Sequence, residues 1–148
     1  MNLVNTIDQY NDNNVFFCEP IKNNIMSDGY FIRILYAEGL FTLNGVYLCV
    51  PLQDITCDKF YTKYKCSFSV SAHKPLIEQL KRLEETLLRK YKTTKVPSYK
   101  IHEQLNLGYI KLFADVGATT HCSFALKISG IWETQYNYGL TYKFVKLT

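Results

Sequence analysis

The sequence predicts a mainly β domain with one mid-chain α-helix, its antiparallel strands curving toward a small barrel. The alternative is an open antiparallel sheet packed on one helix. Three observations predict this. Apolar and polar residues alternate with period two at 59–71 and 123–129. One run alone, 75–91, repeats its apolar residues at steps of three and four. Strand-like segments flank that run on both sides, without the βαβ alternation a parallel sheet requires. With 148 residues, 47% of them hydrophobic and 15% aromatic, the chain can bury one core without disulfides or metal.

Residues 1–14 form a polar lead-in expected to be mobile. They have neither the basic nor the apolar region of a signal peptide. The β-rich domain spans 15–148. "VFFC" (15–18) is a short strand that Pro20 ends or places at an edge. "YFIRILYAEGLFTL" (30–43) is rich in β-branched and aromatic residues, and Gly39 inside it suggests a bulge or bend. "FTL-NG-VYL" carries the strongest local signal, a two-residue hairpin turn at Asn44-Gly45. In 59–71, Phe60, Tyr64, Cys66, Phe68 and Val70 share one parity and face the core. Tyr61, Lys63, Lys65, Ser67 and Ser69 face out. The helix at about 75–91 has Pro75 in its first turn and an apolar stripe from Leu76 to Tyr91. "YKI" and "YIKLF" follow, separated by Gly108. Phe124, Leu126 and Ile128 lead inward, and Leu140, Tyr142 and Phe144 return to the core. Trp132, Tyr136 and Tyr138 are read as lying in the connection between these two strands. Strands, a helix and further strands are the layout of an OB-fold-like antiparallel barrel, whose face binds single strands.

Charge is uneven. Residues 1–58 carry two basic side chains against seven acidic ones. Residues 59–111 carry twelve against four, and 112–148 three against two. A middle section at +8 suits a polyanion. Only Arg33, Arg82 and Arg89 among the 17 basic residues are arginines. Lysine is a point charge without arginine's planar fork, so phosphate contact should dominate and base specificity should be low.

Five scattered cysteines without a CxxC pair read as free thiols in a reducing intracellular compartment, not as a zinc site. No apolar run reaches the length of a membrane span. There is no nucleophile elbow, phosphate loop or metalloprotease helix. His73, His102 and His121 read as surface or capping residues. No enzyme, cofactor or metal is expected.

Residues 126–144, "LKISGIWETQYNYGLTYKF", resemble the C-terminal signature of OB-fold single-stranded DNA-binding proteins of nucleocytoplasmic large DNA viruses, which are phage-type SSB-like. The likeness lies in Ser129-Gly130-Ile131-Trp132-Glu133, a short polar loop, then Tyr138-Gly139-Leu140-Thr141-Tyr142-Lys143-Phe144. It implies an intracellular viral protein that coats single-stranded DNA in replication or recombination. The basic ending "KFVKLT" departs from the acidic tails that often recruit partners to replicative binders.

Single-strand binding of this kind stacks bases on aromatic rings and runs the backbone past lysines. The candidate interface is Tyr61, Lys63 and Lys65 on one strand, with Trp132, Tyr136, Tyr138 and Lys143 near the end, and Lys111 and Lys127 beside them. Single-stranded nucleic acid, DNA favoured, is the expected partner, with homo-oligomers or other viral proteins as further partners. The competing reading is a virion or scaffold component whose exposed aromatics contact protein.

Overall fold

The computed structural model describes residues 4–22, 29–112 and 123–147. Among the described residues it is mainly β: a larger curled sheet, a smaller three-stranded sheet, and two α-helices. The strands of the larger sheet are β1 (Val15–Phe17), β2 (Ile21–Lys22), β3 (Tyr30–Glu38), β4 (Phe41–Leu43), β5 (Val46–Val50), β8 (Val96–Ser98), β10 (Ser123–Glu133) and β11 (Asn137–Leu147). The smaller sheet holds β6 (Thr56–Phe60), β7 (Lys63–Ser67) and β9 (Tyr109–Leu112). The helices are α1 (Lys74–Lys90) and α2 (Lys100–Asn106).

β10 organises the larger sheet. One of its flanks pairs with β11 along its length, while the other is shared, Phe124–Ile128 with β5 and Gly130–Glu133 with β3. A register shift between Ile128 and Gly130 marks the point of division. Such an irregularity bends a strand and increases its twist, which gives the sheet its half-barrel curl. The barrel does not close. Among the described residues no ladder joins the smaller sheet to the larger one, although β9 runs close to β11.

The core lies inside the curl. Ile32, Ile34 and Tyr36 from β3, Val46, Leu48 and Val50 from β5, Leu126, Ile128 and Ile131 from β10, and Leu140 and Phe144 from β11 are buried there. α1 begins one residue before the expected boundary and keeps Pro75 in its first turn. Its stripe of Leu76, Ile77, Leu80, Leu83, Leu87 and Leu88 joins that core. His73, just before it, is buried rather than at the surface. Its Nδ1–H donates to the Ser69 carbonyl at 2.7 Å, and Nε2 accepts from the Gln53 amide at 2.9 Å. Both ring nitrogens are thus committed to backbone partners. In the lead-in, Asn5 exchanges backbone hydrogen bonds with Tyr47 and Cys49 on the edge of β5. Tyr10 stacks on Tyr36 with ring centres 5.9 Å apart.

Four expectations are corrected here. The hairpin turn is Gly39-Leu40, joining β3 to β4, with Glu38 opposite Phe41. Gly39 supplies the positive φ of that turn, +60°. Asn44-Gly45 instead carries the chain from β4 to β5, which pairs with β10. At φ +117°, Gly45 passes so close to the Ile128 carbonyl that a Cβ would lie 2.7 Å from its oxygen. Residues 59–71 are not one strand but the end of β6, a turn at Tyr61–Thr62, and β7. The parity argument survives on β7 alone. A two-residue turn pairs Phe60 with Lys63 and so reverses the parity, and Phe60, expected in the core, stands on the outer face and is exposed. α2 is a second helix, where the sequence predicts only one. Its seven residues bury only Ile101 and Leu105, too short a run for periodicity to show. Cys57 and Cys66 face each other across β6 and β7 and form a disulfide, so they are not free thiols. Cys18 and Cys49 are free and half-buried, and Cys122 and His121 lie outside the described residues.

The start of α2 is held by a buried carboxylate. Glu84, on α1, is fully buried and accepts hydrogen bonds from the backbone amides of Ile101 at 2.9 Å and His102 at 3.0 Å. Those amides belong to the first turn of α2, which has no partner for them within the helix.

Candidate nucleic-acid interface

Period-two alternation decides which side chains leave the core. On β3, Ile32 and Ile34 point inward, so Phe31 and Arg33 lie on the outer face. On β10, Lys127 alternates with buried Leu126 and Ile128, and Trp132 follows buried Ile131. On β11, Lys143 lies between inward Tyr142 and Phe144, and Gly139 between buried Tyr138 and Leu140. Tyr47 takes the same outer side of β5.

The ladders align these residues in rows. One row is Tyr47, Lys127 and Lys143. The next is Arg33, Gly130 and Thr141, and the third is Phe31, Trp132, Gly139 and Ser98. Glycines make room for the rings. A Cβ on Gly139 would lie 2.6 Å from the Trp132 ring, and one on Gly130 would lie 2.7 Å from the Phe31 ring. Trp132 and Phe31 therefore lie over backbone on the sheet surface. Arg33 sits 5.7 Å from the centre of the Phe31 ring, and Lys127 sits 5.4 Å from that of Tyr47. Each cation is near an aromatic face, the arrangement a stacked base beside a phosphate would use.

Glu133, one step beyond Trp132, has the parity of Ile131 and pairs with buried Tyr138, so it lies on the α1 side of the sheet and not on this face. Lys95 pairs with its Oε1 at 2.7 Å, and the Tyr91 hydroxyl donates to its Oε2 at 2.8 Å. Burial opposes ionisation here, but the bonds from Lys95 and Tyr91 win and hold the carboxyl below its ordinary range. This carboxylate is engaged by its own neighbours on the α1 side, so its charge is offset there and does not oppose the basic outer face.

A second basic face lies on the smaller sheet. Asp58, Lys65 and Lys111 stand in one row, Thr56, Ser67 and Tyr109 in the next, and Phe60 opposite Lys63 toward the turn. Lys65 is 4.4 Å and Lys111 5.9 Å from the centre of the Tyr109 ring. Tyr61 stands at the tip of the hairpin, 95% exposed.

The residues singled out from sequence thus divide between two faces. Lys127, Trp132 and Lys143 come together on the larger sheet. Lys63, Lys65 and Lys111 come together on the smaller one, with Tyr61 at its tip. Tyr136 is exposed in the short β10–β11 turn, Thr134–Tyr136, away from the rows. Trp132 and Tyr138 are not in that connection. Both are strand residues, and Tyr138 is not a surface ring. It is buried, and its hydroxyl donates to the Leu88 carbonyl at 3.1 Å, tying β11 to α1. Glu133 pairs directly with Tyr138, so the two strands run on to within three residues of each other.

Sequence reasoning missed Arg33, Phe31, Tyr47 and Tyr109. The alternation Phe31–Ile32–Arg33–Ile34 marks Phe31 and Arg33 as outward-facing. Their place beside Trp132 depends on the β3–β10 ladder, which spans most of the chain. No family model, curated protein or solved structure matches the chain.

Proposed function

We propose that this protein binds single-stranded nucleic acid, DNA favoured, with little dependence on base sequence. The outer face of β3, β5, β10 and β11 supports this reading most strongly. Arg33, Lys127 and Lys143 stand there in ladder register with Phe31, Tyr47 and Trp132. Bases stack on the rings while the cations meet phosphates, and the preponderance of lysine keeps recognition on the backbone. No catalytic step, cofactor or metal enters this reading. The setting in viral DNA replication or recombination, inside the cell, rests on the likeness of residues 126–144 alone. The Cys57–Cys66 disulfide gives no support to a reducing compartment.

The test is a salt titration with labelled oligo-dT, an RNA of equal length and duplex DNA. Binding should quench tryptophan emission, because Trp132 is the only tryptophan. Replacing Arg33, Lys127 and Lys143 together by alanine should weaken oligo-dT binding on the order of 100-fold at low salt and reduce the salt slope by about 2. Absence of binding by the unaltered protein at about 20 mM salt would overturn the proposal.

A second reading, a virion or scaffold component, draws on a different surface. Leu40 at the β3–β4 turn is fully exposed, and Phe41 and Phe16 are more than half exposed. Exposed apolar side chains of this sort fit contact with protein, including another copy of this chain. Leu40→Asp with Phe41→Ser should then convert an oligomer to a monomer in light scattering, leaving oligo-dT binding intact. An unaltered protein that is monomeric at high concentration and absent from particles excludes this reading.

A further inference from the structure

Tyr61 has a backbone conformation that its side chain does not favour. Its φ is +57°, in the left-handed region where a bulky residue is an outlier and glycine is the ordinary occupant. Its ring gains nothing from packing in return, being 95% exposed. Phe60, beside it, is 55% exposed. Two aromatic rings thus project from the end of a hairpin at a conformational cost, and strain of this kind concentrates where a segment has a task. Behind the tip, the outer face of the hairpin is basic, with Lys63, Lys65 and the neighbouring Lys111. On the opposite face the Cys57–Cys66 disulfide crosslinks the two strands.

The geometry points to a duplex-opening wedge: Tyr61 and Phe60 insert at the junction between single-stranded and double-stranded nucleic acid, unstacking the terminal base pair while the lysines behind them hold the strand released. Apolar side chains inserted between base steps unstack them, and new contacts offset the cost. The junction is the place where one pair has only one stacking neighbour, so opening costs least there. The partner follows from the charge: a ring flanked by a basic row meets a π-surface edged with phosphates. This activity rests on the nucleic-acid reading above but uses a different face, so the two can fail separately.

The experiment places 2-aminopurine at the first paired position of a forked DNA and follows its fluorescence at low salt, alongside oligo-dT affinity. The unaltered protein should raise the fork signal at least about twofold, as unstacking does. Tyr61→Gly with Phe60→Ser should abolish that rise, and any loss of oligo-dT affinity should be at least about tenfold smaller than that caused by replacing Arg33, Lys127 and Lys143 together, because the outer face of the larger sheet is untouched. The variant should melt at an unchanged or higher temperature, since glycine relieves the strain at position 61. A fork signal absent from the unaltered protein, or retained by the variant, overturns the wedge. Loss of fork signal and oligo-dT affinity together also overturns it, making the tip an ordinary part of the binding surface. Absent oligo-dT binding by the unaltered protein overturns the function proposed above, while the fork signal still decides the wedge.

Discussion

At pH 5.5, Glu84→Ala should unfold about 3 kcal/mol more easily than the unaltered protein, because it leaves two buried amides of α2 without an acceptor and opens a cavity beneath them. The same residue makes stability depend on pH. Burial, reinforced by the nearby carboxylates of Glu103 and Glu85, pushes the Glu84 carboxyl up from 4.5 to about 7, despite the two amide bonds that favour its ionised form. The folded protein therefore holds this proton up to about pH 7, whereas the unfolded chain releases it near 4.5. Between those values folding takes up a proton, so stability falls as pH rises. The contribution is fully present below pH 4.5 and is lost as pH passes through 7, about 3 kcal/mol in all. Glu84→Gln cannot ionise and should lack this slope, at a fixed cost of about 1–2 kcal/mol for one misdirected acceptor. Urea unfolding at several pH values checks this. Parallel stability curves for the unaltered protein and Glu84→Gln would show that Glu84 titrates alike in the folded and unfolded chain.

Gly130→Ala should cost about 3 kcal/mol, from a different cause. The added methyl group would be driven into the Ile32 carbonyl oxygen and the Phe31 ring. The ring can swing away, but the carbonyl belongs to the β3–β10 ladder and cannot move without shifting two central strands. Both the melting temperature and oligo-dT affinity should fall, since the displaced Phe31 ring belongs to the proposed face. A variant that melts like the unaltered protein would place β3 farther from β10 than the register here allows.

Local pattern was informative where neighbours in the chain are neighbours in the fold. α1 was legible because its six apolar positions recur over four turns, and Phe124, Leu126 and Ile128 because alternation there is unbroken. The Asn44-Gly45 hairpin misled because turn chemistry reports only that the chain bends, not which strands then pair. Gly39 and Gly45 both have positive φ, and only the first closes a hairpin. The turn at Tyr61–Thr62 was invisible because it contains neither glycine, proline nor asparagine. In the candidate site, outward parity found Lys63, Lys65, Lys127 and Lys143. Tyr138 was misplaced because the β10–β11 ladder extends farther than Gly130 and Gly139 suggest. Arg33 and Phe31 became site residues only through a pairing that sequence periodicity does not encode.

The shared flank of β10 also orders events in time. Ile32 finds its partner Ile131 only 99 residues later in the chain, and Leu48 finds Leu126 after 78. During synthesis β3 and β5 emerge long before the strand that pairs with both, and their apolar faces must wait while α1 and the smaller sheet form. Pairings so distant are slow to nucleate, because the entropy of closing the intervening chain is lost before any contact repays it. Ser123–Glu133 is thus the segment that completes folding, and a chain interrupted before it presents two adhesive strand edges.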